Sequence, residues 1–255
     1  MDDILSTAQK IIHEAGLLAK KIRQQPRIIK RKEFNEPVTE VDIRVEEYVI
    51  SSLKKLFPDH GFDSEERGQE NIDAEYVWIL DPIDGTSYYV KDVPLYSVSL
   101  ALERNKQIIL GIVYCPEFDQ MYCASSGKGA TLNGHGIRCS SEKYLKKASI
   151  CLEMPSGNSS SIEQQWAMEK ISVLIKCAYR VRIIGVGSLG LCFCAMGGFD
   201  TYINLGTMWK HHDIAAGKFI IHEAGGEFYF IGEKKRQIIA GPKVLCDEIR
   251  AILKI

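Results

Sequence analysis

The chain has 255 residues, 45% of them hydrophobic, with 32 Lys and Arg set against 33 Asp and Glu. That is enough apolar material for one large α/β domain or two small ones. The formal net charge of −1 excludes a global field that would recruit nucleic acid or an anionic membrane, so any anionic ligand is held locally.

The N-terminal stretch MDDILSTAQKIIHEAG carries acids where a secretion signal would carry bases. No apolar run in the chain approaches the ~20 residues of a membrane span, and a cytoplasmic protein is expected. Ile4, Leu5, Ala8, Ile11, Ile12, Ala15, Leu18, Ala19 and Ile22 fall on one helical stripe that ends before Pro26, which predicts an amphipathic first helix. Thr39 with Asp42 three residues later has the form of a capping box, and the 3.6-residue period then runs from Val41 to Leu56, which predicts a second. Lys30, Arg31 and Lys32, between the two, form either a solvated charge run or a source of one cation for a bound phosphate.

From Tyr76 to Cys123 the pattern turns to short β-rich runs (YVWIL, YSVSLAL, QIILGIVY, QMYCA), predicting a largely antiparallel sheet. After the glycine-rich GKGATLNGHG, strand-like and helix-like segments alternate: ASICLEM, a helix near Ile162–Cys177, YRVRIIG, a helix near Ser188–Met196, DTYINL, DIAAGKFIIHEAGG, EFYFI and a closing helix near Lys243–Leu253. The expectation is an α/β (α+β) fold of stacked helix and sheet layers, one domain over 1–255, with a soft division near residue 145 between a β-rich half and an alternating half. Eight cysteines lie scattered without a C-x-x-C pair and read as buried free thiols.

WILDPIDGTSYY, residues 78–89, carries the chemistry. Asp81 ends an apolar run where Pro82 is expected to stop the ladder, and Asp84 follows one turn later, so the two carboxylates can converge. Anions that close repel each other unless a cation lies between them, and the arrangement reads as a bridged metal site to which the Ile83 carbonyl adds a neutral oxygen. All-oxygen ligation favours a hard ion, Mg²⁺ first and Mn²⁺ second. Gly85 and Thr86 offer backbone N–H groups beside it for a phosphate, and the Thr86 hydroxyl can hold a water, which together suggest hydrolysis. The competing reading is an Asp-Pro-x-Asp-Gly turn that merely ends a strand. Glu65 and Glu66 in SEERG, and Asp213 at the expected start of a helix, are further acids. Each has an ordinary reading as a solvated pair or an N-cap.

Together PVTEVD (37–42), SEE (64–66), LDPIDGT (80–86), GKGATLNG (127–134), DIAAG (213–217) and EAGG (223–226) resemble, in order and over nearly the whole chain, the inositol monophosphatase family of Mg²⁺-dependent, lithium-sensitive phosphatases. The resemblance implies a layered αβαβα sandwich of the sugar phosphatase type, a homodimer, two or three Mg²⁺ ions and a small phosphate ester as substrate. It also implies one metal site from Glu65, Asp81 and the Ile83 carbonyl and a second from Asp81, Asp84 and Asp213, with Glu65 bordering a third. Glu65 and Thr86 match the pair that activates the attacking water, Asp42 the acid bonded to that threonine, and Gly85 with Thr86 the phosphate-binding amides. Three departures lie on the substrate side: Ser87-Tyr88-Tyr89 in place of Thr-Asn-Phe, Asn204 in place of a substrate-gripping glutamate, and Lys210-His211-His212 in a segment about two residues longer than usual. Fructose 1,6-bisphosphate or 3′-phosphoadenosine 5′-phosphate stand beside an inositol monophosphate as possible substrates, and a scaffold protein that keeps the fold is the non-enzymatic alternative.

Overall fold

The first amphipathic stripe folds as α1 (Asp2–Ile22), and the second as α2 (Glu40–Leu56) behind the expected capping box. The Thr39 N–H and hydroxyl both donate to one oxygen of Asp42, while the Val41 N–H donates to the Thr39 hydroxyl. The computed structural model describes residues 2–23, 28–31, 37–232 and 236–255; Lys32 lies outside them. Between the helices, β1 (Ile28–Arg31) and β2 (Pro37–Thr39) pair as an antiparallel ribbon.

An eight-stranded sheet follows, built from β3 (Gly61–Ser64), β4 (Gly68–Glu70), β5 (Tyr76–Asp84), β6 (Ser97–Arg104), β7 (Gln107–Cys115), β8 (Gln120–Ser125), β9 (Ala130–Leu132) and β10 (His135–Ile137). Its spatial order is β10-β9-β8-β7-β6-β5-β3-β4, antiparallel throughout except where β3 runs parallel to β5. A short helix α3 (Thr86–Val90) interrupts the passage from β5 to β6. The second half supplies β11 (Ser149–Glu153), α4 (Ser161–Cys177), β12 (Arg180–Ile183), α5 (Gly187–Ala195), β13 (Thr201–Asn204), α6 (His211–Glu223), β14 (Glu227–Ile231), β15 (Gln237–Gly241) and α7 (Lys243–Leu253). Its five strands order as β12-β11-β13-β15-β14.

Period-2 alternation sorts side chains to opposite faces of each sheet. Trp78 and Leu80 of β5, Leu100 and Leu102 of β6, and Ile112 and Tyr114 of β7 face α1 and α2, while Ile79, Ala101 and Val113 face α5 and α6. Cys151 and Tyr202 join that same inner core from the second sheet, and Ile150, Leu152 and Ile203 turn outward to α4 and α7. The result is the αβαβα sandwich, with α5 and α6 as its middle layer. Two glycines seat α6 there: a Cβ at Gly111 would meet the Ala216 carbonyl oxygen at 2.9 Å, and one at Gly217 would meet Leu191 at 2.7 Å. The small residues of DIAAG are thus the reason Asp213 reaches the first sheet.

Two local expectations are corrected. The β5 ladder continues past Pro82 to Asp84 instead of stopping at Asp81, because a bulge accommodates the proline. Helix α6 begins at His211, so Asp213 is its third residue and not its N-cap; the Asp213 carboxylate accepts from the Lys210 N–H at 2.7 Å, which brings the helix start forward. The glycine-rich turn proves to hold the β9–β10 hairpin.

Candidate active site

The bulge in β5 makes the site. Asp81 pairs with Ser99 and Asp84 with Ser97, so three steps along β5 match two along β6. In a regular strand, residues three apart point to opposite faces; the one-residue excess cancels that parity, and Asp81 and Asp84 both line one cavity. Pro82 has no N–H to leave unpaired there. The cavity, about 190 Å³, is also lined by Glu65, Ile83, Gly85, Thr86 and Asp213, with Pro37, Ser87, Gly185, Met208 and Lys210 around them. Residues from five separated segments of the chain thus meet where the sequence motifs placed the chemistry.

Each side chain is held by its neighbours. One oxygen of Asp81 accepts from the Ile83 N–H (3.0 Å), and one oxygen of Asp84 from the Ser188 N–H in the first turn of α5 (2.8 Å). Asp213 also pairs with His212 Nε2 at 3.2 Å, while Glu65 Oε1 lies 3.7 Å from Lys210 Nζ and 3.8 Å from His212 Nε2. Gly85 adopts φ +94°, and a Cβ there would stand 2.9 Å from the Leu95 carbonyl oxygen, so glycine alone fits the turn. Its carbonyl accepts from the N–H groups of Tyr88 and Tyr89, starting α3, whose N-terminus no side chain caps. The Thr86 hydroxyl lies 2.8 Å from the Ile83 carbonyl and 3.3 Å from Asp42 Oδ1. With one proton to donate, it uses the carbonyl as the closer acceptor and keeps Asp42 within reach.

The electrostatics are those of an acidic site short of positive charge. Burial and then the repulsion of Glu65, Asp84 and Asp213 hold the Asp81 carboxyl well above its ordinary range. Burial raises Asp84 to about 7 against the opposing Ser188 hydrogen bonds. Burial likewise raises Asp213, against the opposing pull of His212, and lifts Asp42 to about 6. A cation among these groups would relieve repulsion that protons otherwise relieve. Among the described residues no three His, Cys, Asp or Glu side chains are drawn into a closed coordination shell. The donor set, carboxylate and carbonyl oxygens only, fits a hard divalent ion.

One expected contributor, Asn204, and one candidate cation, Lys30, stand back from the cavity. Asn204 ends β13 and its Oδ1 accepts from the Gly206 N–H at 2.8 Å, and it is not among the lining residues. Lys30 pairs with Glu66 at 3.6 Å. Of the added segment, Lys210 lines the cavity, His212 contacts Asp213 and Glu65, and His211 turns away to Asp63 and Glu103. Sequence reasoning missed Glu153, a half-buried acid at the end of β11 that accepts from the Gly185 N–H (3.0 Å) and is raised to about 7 by desolvation and by Asp84. A charged residue closing the apolar run ASICL was its only signal.

An αβαβα sandwich whose middle layer presents Asp213 to a bulged strand and a glycine turn is of the sugar phosphatase type. The chain belongs to the inositol monophosphatase family, whose sequence profile matches residues 1–253. It is 35% identical over 231 residues to a fructose-1,6-bisphosphatase/inositol-1-monophosphatase of Aquifex aeolicus, covering 89% of this chain and 85% of that one. It is 34% identical over 261 residues to the putative Nus factor SuhB of Neisseria meningitidis serogroup B, covering 99% and 98%. The solved structure of a Thermotoga maritima IMPase superposes with a TM-score of 0.87 at 27% identity, covering all of this chain and 97% of the other. The family is one of phosphatases and is generally metal-dependent. No helix among the described residues is long and apolar enough to cross a membrane.

Proposed function

We propose that the protein is a Mg²⁺-dependent phosphoric monoester hydrolase that acts on an inositol monophosphate or a related sugar phosphate in the cytoplasm, with Mn²⁺ as a substitute ion. The observation that carries this reading is the convergence of Glu65, Asp81, Asp84 and Asp213 on one cavity beside the uncapped start of α3. Glu65, Asp81 and the Ile83 carbonyl would hold one ion, Asp81, Asp84 and Asp213 a second, with Glu65 at the edge of a third. Bound there, Mg²⁺ supplies neutralisation of the phosphoryl charge and a lowered pKa for a nearby water. The N–H groups of Gly85 and Thr86 then orient the phosphate. Glu65 and the Thr86 hydroxyl, backed by Asp42, align a water for in-line attack and take its proton. The P–O bond to the alcohol breaks as the new one forms, the alkoxide takes a proton from a solvent water, and Glu65 gives its proton back to solvent, leaving inorganic phosphate and free alcohol.

Lys210 at the cavity favours a more anionic substrate than a neutral polyol monophosphate, and the double name of the Aquifex relative agrees with such breadth. Fructose 1,6-bisphosphate and 3′-phosphoadenosine 5′-phosphate therefore belong in the substrate panel. A homodimer is supported by apolar side chains exposed on α4 and the edge strand β12, among them Met168, Ile175 and Ile183, and by Tyr179 between the two; sedimentation of the purified chain tests it. The Nus factor names among the relatives favour, as a second reading, a binding role that uses the fold without its chemistry.

Phosphate release from the panel with and without Mg²⁺, for the wild type and Asp84→Asn, decides between them. Hydrolysis that needs the ion and falls roughly 100-fold or more in the variant is expected, since an ion-holding carboxylate is worth at least what its supporting groups are. No Mg²⁺-dependent release from any ester would leave the binding role.

A further inference from the structure

Glu46 is a fully buried carboxylate that the proposed chemistry does not use. It lies on α2 four residues after Asp42, so the two share one face of the helix. Asp42 reaches Thr86, and Glu46 reaches the turn that carries Glu65.

That turn joins β3 to β4, with Ser64 paired to Gly68 and Glu65, Glu66 and Arg67 between them. Its three N–H groups are all satisfied from inside the protein. Glu65 N–H donates to the Leu80 carbonyl of β5 at 3.2 Å, and the N–H groups of Glu66 and Arg67 both donate to Glu46 Oε1, at 3.0 and 3.3 Å. The second oxygen of Glu46 faces the Arg67 guanidinium at 3.7 Å. One carboxylate thus fixes the backbone directly after Glu65, while β5 fixes the backbone at Glu65 itself.

We propose that Glu46 is a positioning residue for Glu65: its carboxylate locks the β3–β4 turn so that the Glu65 side chain stands at the cavity with Asp81. Helix α2 then orients both halves of the water-activating pair, Thr86 through Asp42 and Glu65 through Glu46. This rests on the proposed function for the role of Glu65, while the lock itself rests only on the hydrogen bonds. The bonding oxygen acts as an acceptor, which a glutamine carbonyl reproduces and an aliphatic side chain does not. A lock lost in this way acts on ion binding and turnover like other supporting contacts of metal sites, typically by about 10–100-fold.

The test compares Glu46→Gln and Glu46→Leu in the full chain. Mn²⁺ binding is measured by titration calorimetry without substrate, and turnover of a phosphate monoester with Mg²⁺ is measured alongside. Glu46→Leu should bind Mn²⁺ at least about tenfold more weakly and turn over about tenfold or more slowly, with KM changed less than about threefold; Glu46→Gln should restore both to within about threefold of wild type. Wild-type Mn²⁺ affinity in Glu46→Leu overturns the inference, as does an equal loss in both variants. Should Glu46→Leu fail to fold, hydrogen exchange of the wild-type amides decides: protection at Glu66 and Arg67 that persists in Glu46→Gln supports the lock, and unprotected exchange in the wild type refutes it. If no ester is hydrolysed by the wild type yet Glu46→Leu weakens Mn²⁺ binding, the lock stands and the phosphatase reading fails.

Discussion

The Tyr88 hydroxyl donates a 2.7 Å hydrogen bond to the carbonyl of Ile184, joining α3 to the segment that leads into α5. Gly185, next in that segment, has φ +77° and no room for a Cβ, which would stand 2.8 Å from the same hydroxyl. Its N–H is held by Glu153, and Ser188 at the start of α5 holds Asp84. A contact made by Tyr88 thus supports the cavity wall on its Gly185 side.

Tyr88→Phe deletes that bond and little else. Stability should fall by about 1 kcal/mol, the usual worth of one such hydrogen bond. The KM for a sugar phosphate should rise about three- to tenfold while kcat changes less, because a loosened wall affects substrate placement more than the phosphoryl centre. Steady-state kinetics check this; a variant that lost kcat alone would place Tyr88 with the chemistry instead.

Thr86→Ala removes the hydroxyl that stands between the Ile83 carbonyl and Asp42. If that hydroxyl aligns the attacking water, its interaction counts mainly in the transition state. Turnover should drop by roughly 10²–10³-fold with KM within about threefold. A rise in KM at unchanged kcat would mark Thr86 as a binding group only.

Much of this site was legible because its signals are local. LDPIDGT gathers two acids, a proline and a Gly-Thr pair within seven positions, although the bulge that carries the ladder past Pro82 was not read from it, and Thr39–Asp42 announces its own cap. The layers were legible too, since Trp78 and Ile79 sort to opposite cores by period alone. The roles of Glu46, Glu153 and Ser188 were not, because each depends on a hydrogen-bond partner 20, 32 and 104 residues away, and no periodicity encodes such a partner. The short strands β3 and β4 escaped for a related reason: three or four residues are too few to show a pattern, and their pairing with β5 supplies what the local sequence lacks.

The raised carboxyls give a pH signature of the ion site. Asp42 and Asp84 titrate near 6 and 7 in the folded protein without ions, against an ordinary 3.8, so the folded state binds protons that the unfolded chain releases. Their contribution is fully present below about 4 and is lost as pH rises through the folded values, so the ion-free protein should melt at a higher temperature at pH 6 than at pH 8. Mg²⁺ competes with those protons, so saturating Mg²⁺ should raise the melting temperature more at pH 8 than at pH 6. Thermal melts at the two pH values check it, and an equal Mg²⁺ shift at both would remove Asp84 from the ion site.

Substrate choice is where this chain should depart most from an inositol-specific enzyme. A glutamate at position 204 would accept hydrogen bonds from a vicinal diol and repel a second phosphate, whereas Asn204 carries no charge and can donate as well as accept. Its Oδ1 accepts from the Gly206 N–H at 2.8 Å. Lys210 has the more direct position: it lines the cavity, its ammonium is half-exposed, and it stands 3.7 Å from Glu65. A half-exposed cation is worth on the order of 1 kcal/mol to a bound anion, which is about fivefold in affinity. Fructose 1,6-bisphosphate or a phosphonucleotide should therefore be hydrolysed at least as efficiently as inositol 1-phosphate by the wild type. Lys210→Met should raise the KM for the bisphosphate about fivefold and that for inositol 1-phosphate less, while Asn204→Glu should shift the kcat/KM ratio toward the inositol ester. The measurement is kcat/KM for both esters in all three proteins. A strong wild-type preference for inositol 1-phosphate that neither substitution moves would mean that Asn204 only closes β13 and that Lys210 serves Glu65 and the start of α6, not the substrate.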